Sequence, residues 1–472
     1  MPQLLAFAPE LILAAGLILL FIADLALKNK DSLETVTVAA LALALVSCFF
    51  VPQNLLVLKG AYSCDLFAIF FKILIFLTAL LILPAAGAFL KSRELPRGEF
   101  YLLFLCSLLG MSVLPSANDL AVFYIALETM ALSSYALAAY DRRDVRSQES
   151  GFKYFLLGAF NSGVVLYGIA LAFGLTGKTS YGALRGAALA SAAVGPWLAA
   201  FVFLLAGMAF KVALVPFHMW TPDVYEGAPT PVTGFISVTS KAASFAAILR
   251  ILSIFSPALD DHWRALVAIL AVLSMTAGNL LALVQTNVKR LMAYSSIAHA
   301  GYILIGFAAG GPSGLAGVLL YVFVYGFANL GIFSALSYCA TKERRGETLQ
   351  DLEGLSREHP RLALAVLVFF LSLAGIPPTG GFVGKLYLFA SAIQANMTWL
   401  AVVGVLNSVL SLAYYFRVVM AIYFSPETKP LALVPSQPLG LALAALALAT
   451  LAIGLAPGAI ITWARASILP LL

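Results

Sequence analysis

The chain has 472 residues, 62% of them hydrophobic and only 11% charged, with a mean hydropathy of +0.98. Soluble domains carry about 25% charged residues, so this composition excludes a soluble globular protein and predicts an integral membrane protein whose unit of organisation is the membrane span. The net charge of +6 would suggest a nucleic-acid partner in a soluble chain, but no basic cluster is interleaved with aromatic residues; the positive-inside rule accounts for the excess.

A helix needs about 20 apolar residues to cross a hydrocarbon core. Runs of that kind fall at 4–26, 33–51, 64–90, 99–115, 118–140, 152–175, 192–217, 230–254, 263–284, 291–309, 314–340, 361–390, 398–424 and 438–462. The expected fold is therefore all-α and polytopic, with about 14 transmembrane helices joined by short connections. The first run lacks a basic leader, carries Glu10 and is too long for a signal peptide, so it is expected to remain as the first span.

Charges inside these runs are the informative exceptions, because each costs roughly 2.5 to 3.5 kcal/mol at mid-membrane on insertion scales. Taken in chain order, Lys72 lies in the third run, Glu128 in the fifth and Lys153 at the edge of the sixth. Lys211 ends the apolar part of the seventh, Lys241 lies in the eighth, Lys385 in the twelfth and Arg417 in the thirteenth. Lys72, Lys153 and Arg417 are expected to snorkel or to sit near a boundary. Lys211, Lys241 and Lys385 are expected to lie deeper, where low dielectric disfavours an ammonium relative to the neutral amine and suits a group that must gain and lose a proton. The simpler alternative is a static ion pair that ties helices together, most plainly for Glu128 with Lys211.

Proline interrupts the helices beside the same lysines. Pro216 follows Lys211, Pro229 and Pro231 precede Lys241, and Pro377-Pro378-Thr379-Gly380-Gly381 precedes Lys385. Proline removes a helical hydrogen bond, and freed backbone at membrane depth is tolerated only where protein or a water-filled cavity receives it. Broken helices beside buried charges mark ion pathways. The segments APTPVTGFISVTSK (228–241) and GIPPTGGFVGK (375–385) also share a weak likeness that is compatible with duplication.

Of the histidines, His299 lies in AYSSIAHAGYILIGF beside Ser295 and Ser296 and could relay protons or simply pack. His218 follows the break at Pro216, and His262 and His359 lie in connections. Asp223 and Glu226 read as turn and capping residues, while Asp144 and Glu149 could assist proton uptake or balance nearby arginines. Cys48, Cys64, Cys106 and Cys339 have no ligand spacing and read as small core residues. No dinucleotide fingerprint, phosphate loop, HExxH or haem-ligand pair is present, so no metal or cofactor is expected in this chain.

Lys and Arg concentrate in alternate connections. One set holds Lys28, Lys30, Lys91, Arg93, Arg97, Arg142, Arg143, Arg146, Lys289, Arg290, Lys342, Arg344, Arg345, Arg357, Arg361 and Lys429, and the other only Lys59, Lys178, Arg185, Arg250, Arg264 and Arg465. The richer side is expected to be cytoplasmic, with both termini outside a cell inner membrane.

KVALVPFHMWTPDVYEGAPTPVTGFISVTSK, NVKRLMAYSSIAHAGYILIGF and LAGIPPTGGFVGK strongly resemble the antiporter-like membrane subunits of respiratory complex I and the related Mrp-type cation/proton antiporters. The likeness covers essentially the whole chain. It implies two inverted five-helix repeats, at 99–254 and 263–424, between N-terminal helices at 1–98 and a last helix within 425–472, with spans 7 and 12 broken. It also implies that Glu128 and Lys211 form a charge pair, that Lys241 bridges and that Lys385 is the distal group, with Lys153 at another familiar lysine position. NADH, FMN, iron–sulfur clusters and quinone are then expected in other subunits. The partners implied are neighbouring antiporter-like and small membrane subunits and the lipid bilayer, with no nucleic acid. A sodium/proton antiporter subunit and a non-catalytic scaffold remain the alternatives.

Overall fold

The computed structural model describes residues 2–340, 346–425, 433–434 and 436–471. Lys342, Arg344, Arg345 and Lys429 lie outside the described residues. Helix dominates because a segment in hydrocarbon must satisfy its backbone groups internally. The long helices are α1 (Ala8–Ala26), α2 (Asp31–Ser47), α3 (Leu66–Ser92), α4 (Gly98–Val113), α5 (Leu120–Ala138), α6 (Val145–Thr176) and α7a (Val194–Lys211), which continues after a break as α7b (Thr221–Gly227). They are followed by α8 (Thr230–Phe255), α9 (His262–Leu283), α10 (Val288–Ala309) and α11 (Gly311–Cys339). The last are α12a (Pro360–Ala374), α12b (Gly380–Gln394), α13 (Thr398–Phe424) and α14 (Gln437–Leu455).

Every predicted span is thus represented by a helix, with differences at the ends. α8 and α9 follow one continuous helical path that departs from helical angles at Leu259, so their connection is a kink rather than a loop. The connection between α2 and α3 holds a short antiparallel hairpin, β1 (Leu55–Val57) with β2 (Tyr62–Cys64), which the sequence reading did not include. The apolar windows of α8, α10 and α11 are 100%, 94% and 94% buried, against 28% for α1 and 33% for α6, so these three helices form the centre.

Both breaks are closed in the same way. α7a ends with Ala213 at φ +62°, and the amide of Leu214 donates to Ala209 O at 2.8 Å. α12a ends with Gly375 at φ +82°, and the amide of Ile376 donates to Leu371 O at 3.0 Å. This is the left-handed stop that satisfies terminal carbonyls. A prolyl peptide follows each stop, at Pro216 and at Pro378, where helix cannot resume at once. The turn Ile236–Ser240, just before Lys241, is widened to π geometry, a local irregularity frequent at functional sites.

The same contacts recur 168 residues apart. The amide of Leu120 donates to Thr179 O and that of Tyr181 to Asn118 O; the amide of Val288 donates to Glu347 O and that of Leu349 to Thr286 O. Asp119 caps α5 and Asn287 caps α10. Gly110 lets α4 approach the backbone of Ala126 and Met130, and Gly278 lets α9 approach that of Tyr294 and Ala298. Arg250 binds Pro115 O beside the end of α4, and Arg417 binds Leu283 O at the end of α9. In this register α8 corresponds to α13. The likeness between 228–241 and 375–385 therefore joins non-corresponding helices, α8 and α12.

Candidate functional site

α7a carries Lys211 as its last residue, so the side chain emerges where the backbone breaks. Its ammonium donates to the Tyr135 hydroxyl at 3.0 Å and lies 5.2 Å from that ring. Glu128 is half-buried on α5 and accepts from Ser162 at 2.9 Å, with the Tyr124 hydroxyl 2.8 Å from the same serine. The expected contact between Glu128 and Lys211 is therefore not formed. Tyr135 takes the ammonium two helical turns further along α5, about 10 Å from Glu128 at 1.5 Å per residue. Gly158 on α6 makes room for it, because a Cβ there would lie 2.0 Å from the Tyr135 hydroxyl oxygen.

Lys241, buried at the end of the widened turn, donates to Ser296 O at 3.1 Å and to the Ser296 hydroxyl. That hydroxyl also accepts from Tyr325 at 3.0 Å and lies 3.5 Å from the Tyr225 hydroxyl. One turn along α10, His299 Nδ1 is 2.8 Å from the Tyr321 hydroxyl and Nε2 is 2.9 Å from that of Tyr415, which also meets Ser295. One turn further, the ring of Tyr302 lies 4.8 Å from the Lys385 ammonium. Ser296, His299 and Tyr302 share one face of α10 at a spacing of three, so a single polar stripe runs from Lys241 to Lys385.

Lys385, one turn into α12b, donates to Ala374 O at 3.1 Å and to the Ser408 hydroxyl at 2.8 Å. It lines a cavity of about 290 Å³ that includes Gly375, Phe382, Phe389 and Val405. A Cβ on Gly375 would fall 2.8 Å from the lysine Cδ, so glycine is needed there for room as well as for its positive φ. Among the described residues, Lys211, Lys241 and Lys385 make no ion pair with a carboxylate. All three ammonium groups are held by neutral hydroxyls and carbonyls.

Lys153 lies at the basic side with Asp223 at 2.6 Å and Glu149 at 2.7 Å, and Arg290 meets Asp223 at 2.8 Å and Glu226 at 2.9 Å. Asp223 and Glu226 are thus members of a half-exposed charge network rather than turn residues alone. The cap falls to Asp144 instead, which opens α6 by accepting from the amide of Arg146 at 3.1 Å.

Three buried ion pairs escaped the sequence reading. Lys72 does not snorkel: it is buried against Glu10 at 2.7 Å, and Glu10 also accepts from Tyr62 at 3.0 Å. Arg250 meets Asp65 at 2.7 Å, and Lys289 meets Glu347 at 3.0 Å. Glu10 and Lys72 each interrupt the apolar part of a run, which is a visible signal. Their pairing across separate helices is not. Arg417 is part-buried and binds the carbonyls of Leu283 and Gln285 at the end of α9, a place near a helix boundary. Cys48, Cys64 and Cys339 are buried, as expected, and Cys106 is partly buried.

A polytopic helical bundle with two similarly broken helices, each presenting a buried lysine at its break, is the architecture of an antiporter-like membrane subunit. The chain belongs to the NADH:quinone oxidoreductase/Mrp antiporter transmembrane family, whose model matches residues 117–411. It is 45% identical to the NADH-quinone oxidoreductase subunit N of Trichlorobacter lovleyi over 86% of this chain and 84% of that one. It is 41% identical to that of Rhodospirillum rubrum over 97% and 96%. A chain of respiratory complex I from Thermus thermophilus superposes with a TM-score of 0.83 at 36% identity, covering 96% of this chain and 98% of that chain. A chain of the Mrp complex from a Dietzia species shares the fold, with a TM-score of 0.88 at 23% identity over 99% and 97%.

Proposed function

We propose that this chain is the proton-translocating membrane subunit of an NADH:quinone oxidoreductase, and that Glu128, Lys211, Lys241 and Lys385 are the groups that exchange protons. Lys153 serves the basic side, and His299 lies on α10 between Ser296, which holds Lys241, and Tyr302, whose ring faces Lys385. The observation that carries this reading is that the three deep lysines are held only by neutral acceptors. A carboxylate at contact distance would lock an ammonium in place, whereas a hydroxyl or carbonyl holds it loosely enough for a nearby charge to decide its protonation. Arrival or loss of a proton at one group then changes the next by Coulomb coupling, and the opened backbone at each break provides room for water.

Electron transfer belongs to other subunits, where NADH, FMN, iron–sulfur clusters and quinone would bind, and the partners are the neighbouring membrane subunits of the same complex. The basic side is cytoplasmic, both termini lie outside the inner membrane, and protons move outward. The matched contacts 168 residues apart support two repeats at 99–254 and 263–424. Five spans is an odd number, so the second repeat enters the membrane from the opposite side and is inverted.

The test is reconstitution of the assembled complex in vesicles, following quinone reduction and proton uptake together. Lys211→Ala and Lys385→Ala should assemble and lose pumping, while Lys59→Ala, at an exposed site in the hairpin, should pump normally. Equal pumping by all three variants would sink the assignment. Uptake that follows sodium rather than protons would move the chain to the antiporter reading.

A further inference from the structure

The two halves share a hydrogen-bond register but differ in chemistry at one matched position. Thr179 O accepts from the amide of Leu120, and Glu347 O accepts from the amide of Val288, so Thr179 and Glu347 correspond at opposite faces of the membrane. Thr179 is part-buried, and its hydroxyl donates to the capping carboxylate of Asp119 at 2.7 Å. Glu347 is a buried acid, 6% exposed. Its Oε1 accepts from Lys289 at 3.0 Å and from the Thr230 hydroxyl at 3.3 Å, while Lys289 also donates to Ala228 O at 2.7 Å. Its Oε2 is buried and has no hydrogen-bond partner among the described residues.

That carboxylate lines a cavity of about 20 Å³, with Arg93, Asp141, Asp144, Ser147 and Thr230 also in its wall. Room for one water needs roughly 10 to 15 Å³ and two to four polar partners, and both are present here. An unpartnered buried oxygen beside such a space is the kind of group that bridging water satisfies. Among the described residues, the charged groups around it are Arg93 from the end of α3, Asp141 and Asp144 from the α5–α6 connection, and Lys289 from α10. Thr230 begins α8, the helix that carries Lys241.

We propose that this cavity is a proton-loading site on the basic side, with Glu347 as the acceptor that feeds Lys241. A hydronium in the cavity gives up one O–H bond as the O–H bond at Glu347 Oε2 forms, leaving water behind. On release that bond breaks, and the proton passes through water and the Tyr225–Ser296 hydroxyls to the neutral amine of Lys241. At the matched outer position threonine stands in place of the acid, and the carboxylate beside it, Asp119, is engaged by Thr179 and by the cap of α5. This rests on the proton-translocation reading above.

The experiment uses the whole complex in vesicles, comparing Glu347→Gln, Glu347→Asp and Thr230→Val with Lys241→Ala. Proton uptake per quinone reduced should fall by about tenfold in Glu347→Gln, at the low end of what a positioned acid–base group supplies. It should recover substantially in Glu347→Asp. Thr230→Val keeps the Lys289 ion pair and removes only the hydroxyl, so it should reduce uptake less; if Glu347→Gln does not assemble, this variant decides. Full uptake in both Glu347→Gln and Thr230→Val, with uptake lost in Lys241→Ala, overturns the loading site and leaves the broader reading intact. Full uptake in Lys241→Ala overturns the broader reading itself.

Discussion

The N-terminal helices and the helix breaks both bury lysines, and Lys72 is wired in the opposite way to Lys211, Lys241 and Lys385. Lys72 on α3 meets Glu10 of α1 at 2.7 Å, with Tyr62 of the hairpin closing the cluster. Lys211, Lys241 and Lys385 are about as deeply buried, at 5%, 3% and 4% exposure, yet their partners are Tyr135, Ser296, Ala374 O and Ser408. Burial alone therefore does not mark a proton-exchanging lysine. A carboxylate partner makes a lysine a tie between helices, and a neutral partner leaves it able to respond to a charge further away.

The largest test of this contrast sets activity against stability. Lys385→Ala should leave an assembled complex whose quinone reduction is no longer accompanied by proton uptake. Lys72→Ala should instead destabilise the chain by about 3 to 5 kcal/mol, the cost of leaving one member of a buried pair uncompensated. Thermal unfolding of the purified complex would show this as a lowered midpoint, and the double variant Glu10→Leu with Lys72→Met should recover most of it, because apolar replacement of a whole buried pair is often neutral. A Lys72→Ala complex that is stable but does not pump would erase the distinction.

A smaller effect is expected at the Lys211 contact. Tyr135→Phe removes the hydroxyl that holds the ammonium, and Gly158→Ala should displace the same hydroxyl, since the new Cβ would fall 2.0 Å from it. Both variants should reduce pumping in the same direction, by the equivalent of about 1 to 3 kcal/mol for an unsatisfied buried group. Opposite effects in parallel pumping assays would show that Tyr135 does not set the position of Lys211. The smallest change in stability is expected at Lys153. Its bridges to Asp223 and Glu149 are 39% exposed on the lysine side, so solvent screening leaves them about 0 to 1 kcal/mol. Lys153→Ala should hardly move the unfolding midpoint, and any loss of pumping in it would then report proton uptake rather than folding.

The span count and the order of the helices were legible because each span is a local property: an apolar run must satisfy its own backbone and needs nothing from elsewhere in the chain. Pro216 and the 377–381 run likewise announced the breaks, since proline acts on its own helix, whereas Pro229 and Pro231 open α8 at its first turn rather than breaking it. The deep placement of Lys211, Lys241 and Lys385 followed from their apolar surroundings. The same reasoning misplaced Lys72, because a lone lysine in an apolar run looks alike whether it rises to the surface or meets a buried acid. The Glu128–Lys211 contact was expected from resemblance, and Tyr135 intervenes because Gly158 on a third helix makes room for it.

From the sequence by itself came the membrane class, the spans, the breaks and the identity of the unusual charges, all of which depend on neighbours within a turn or two. Tertiary structure alone decided which charge meets which partner. It set Ser296, His299 and Tyr302 in line between two lysines, paired Lys72 with Glu10, and turned Glu347 toward a polar cavity. Those outcomes depend on distances of a few ångströms between residues tens to more than a hundred positions apart, and such distances are fixed only when the helices pack.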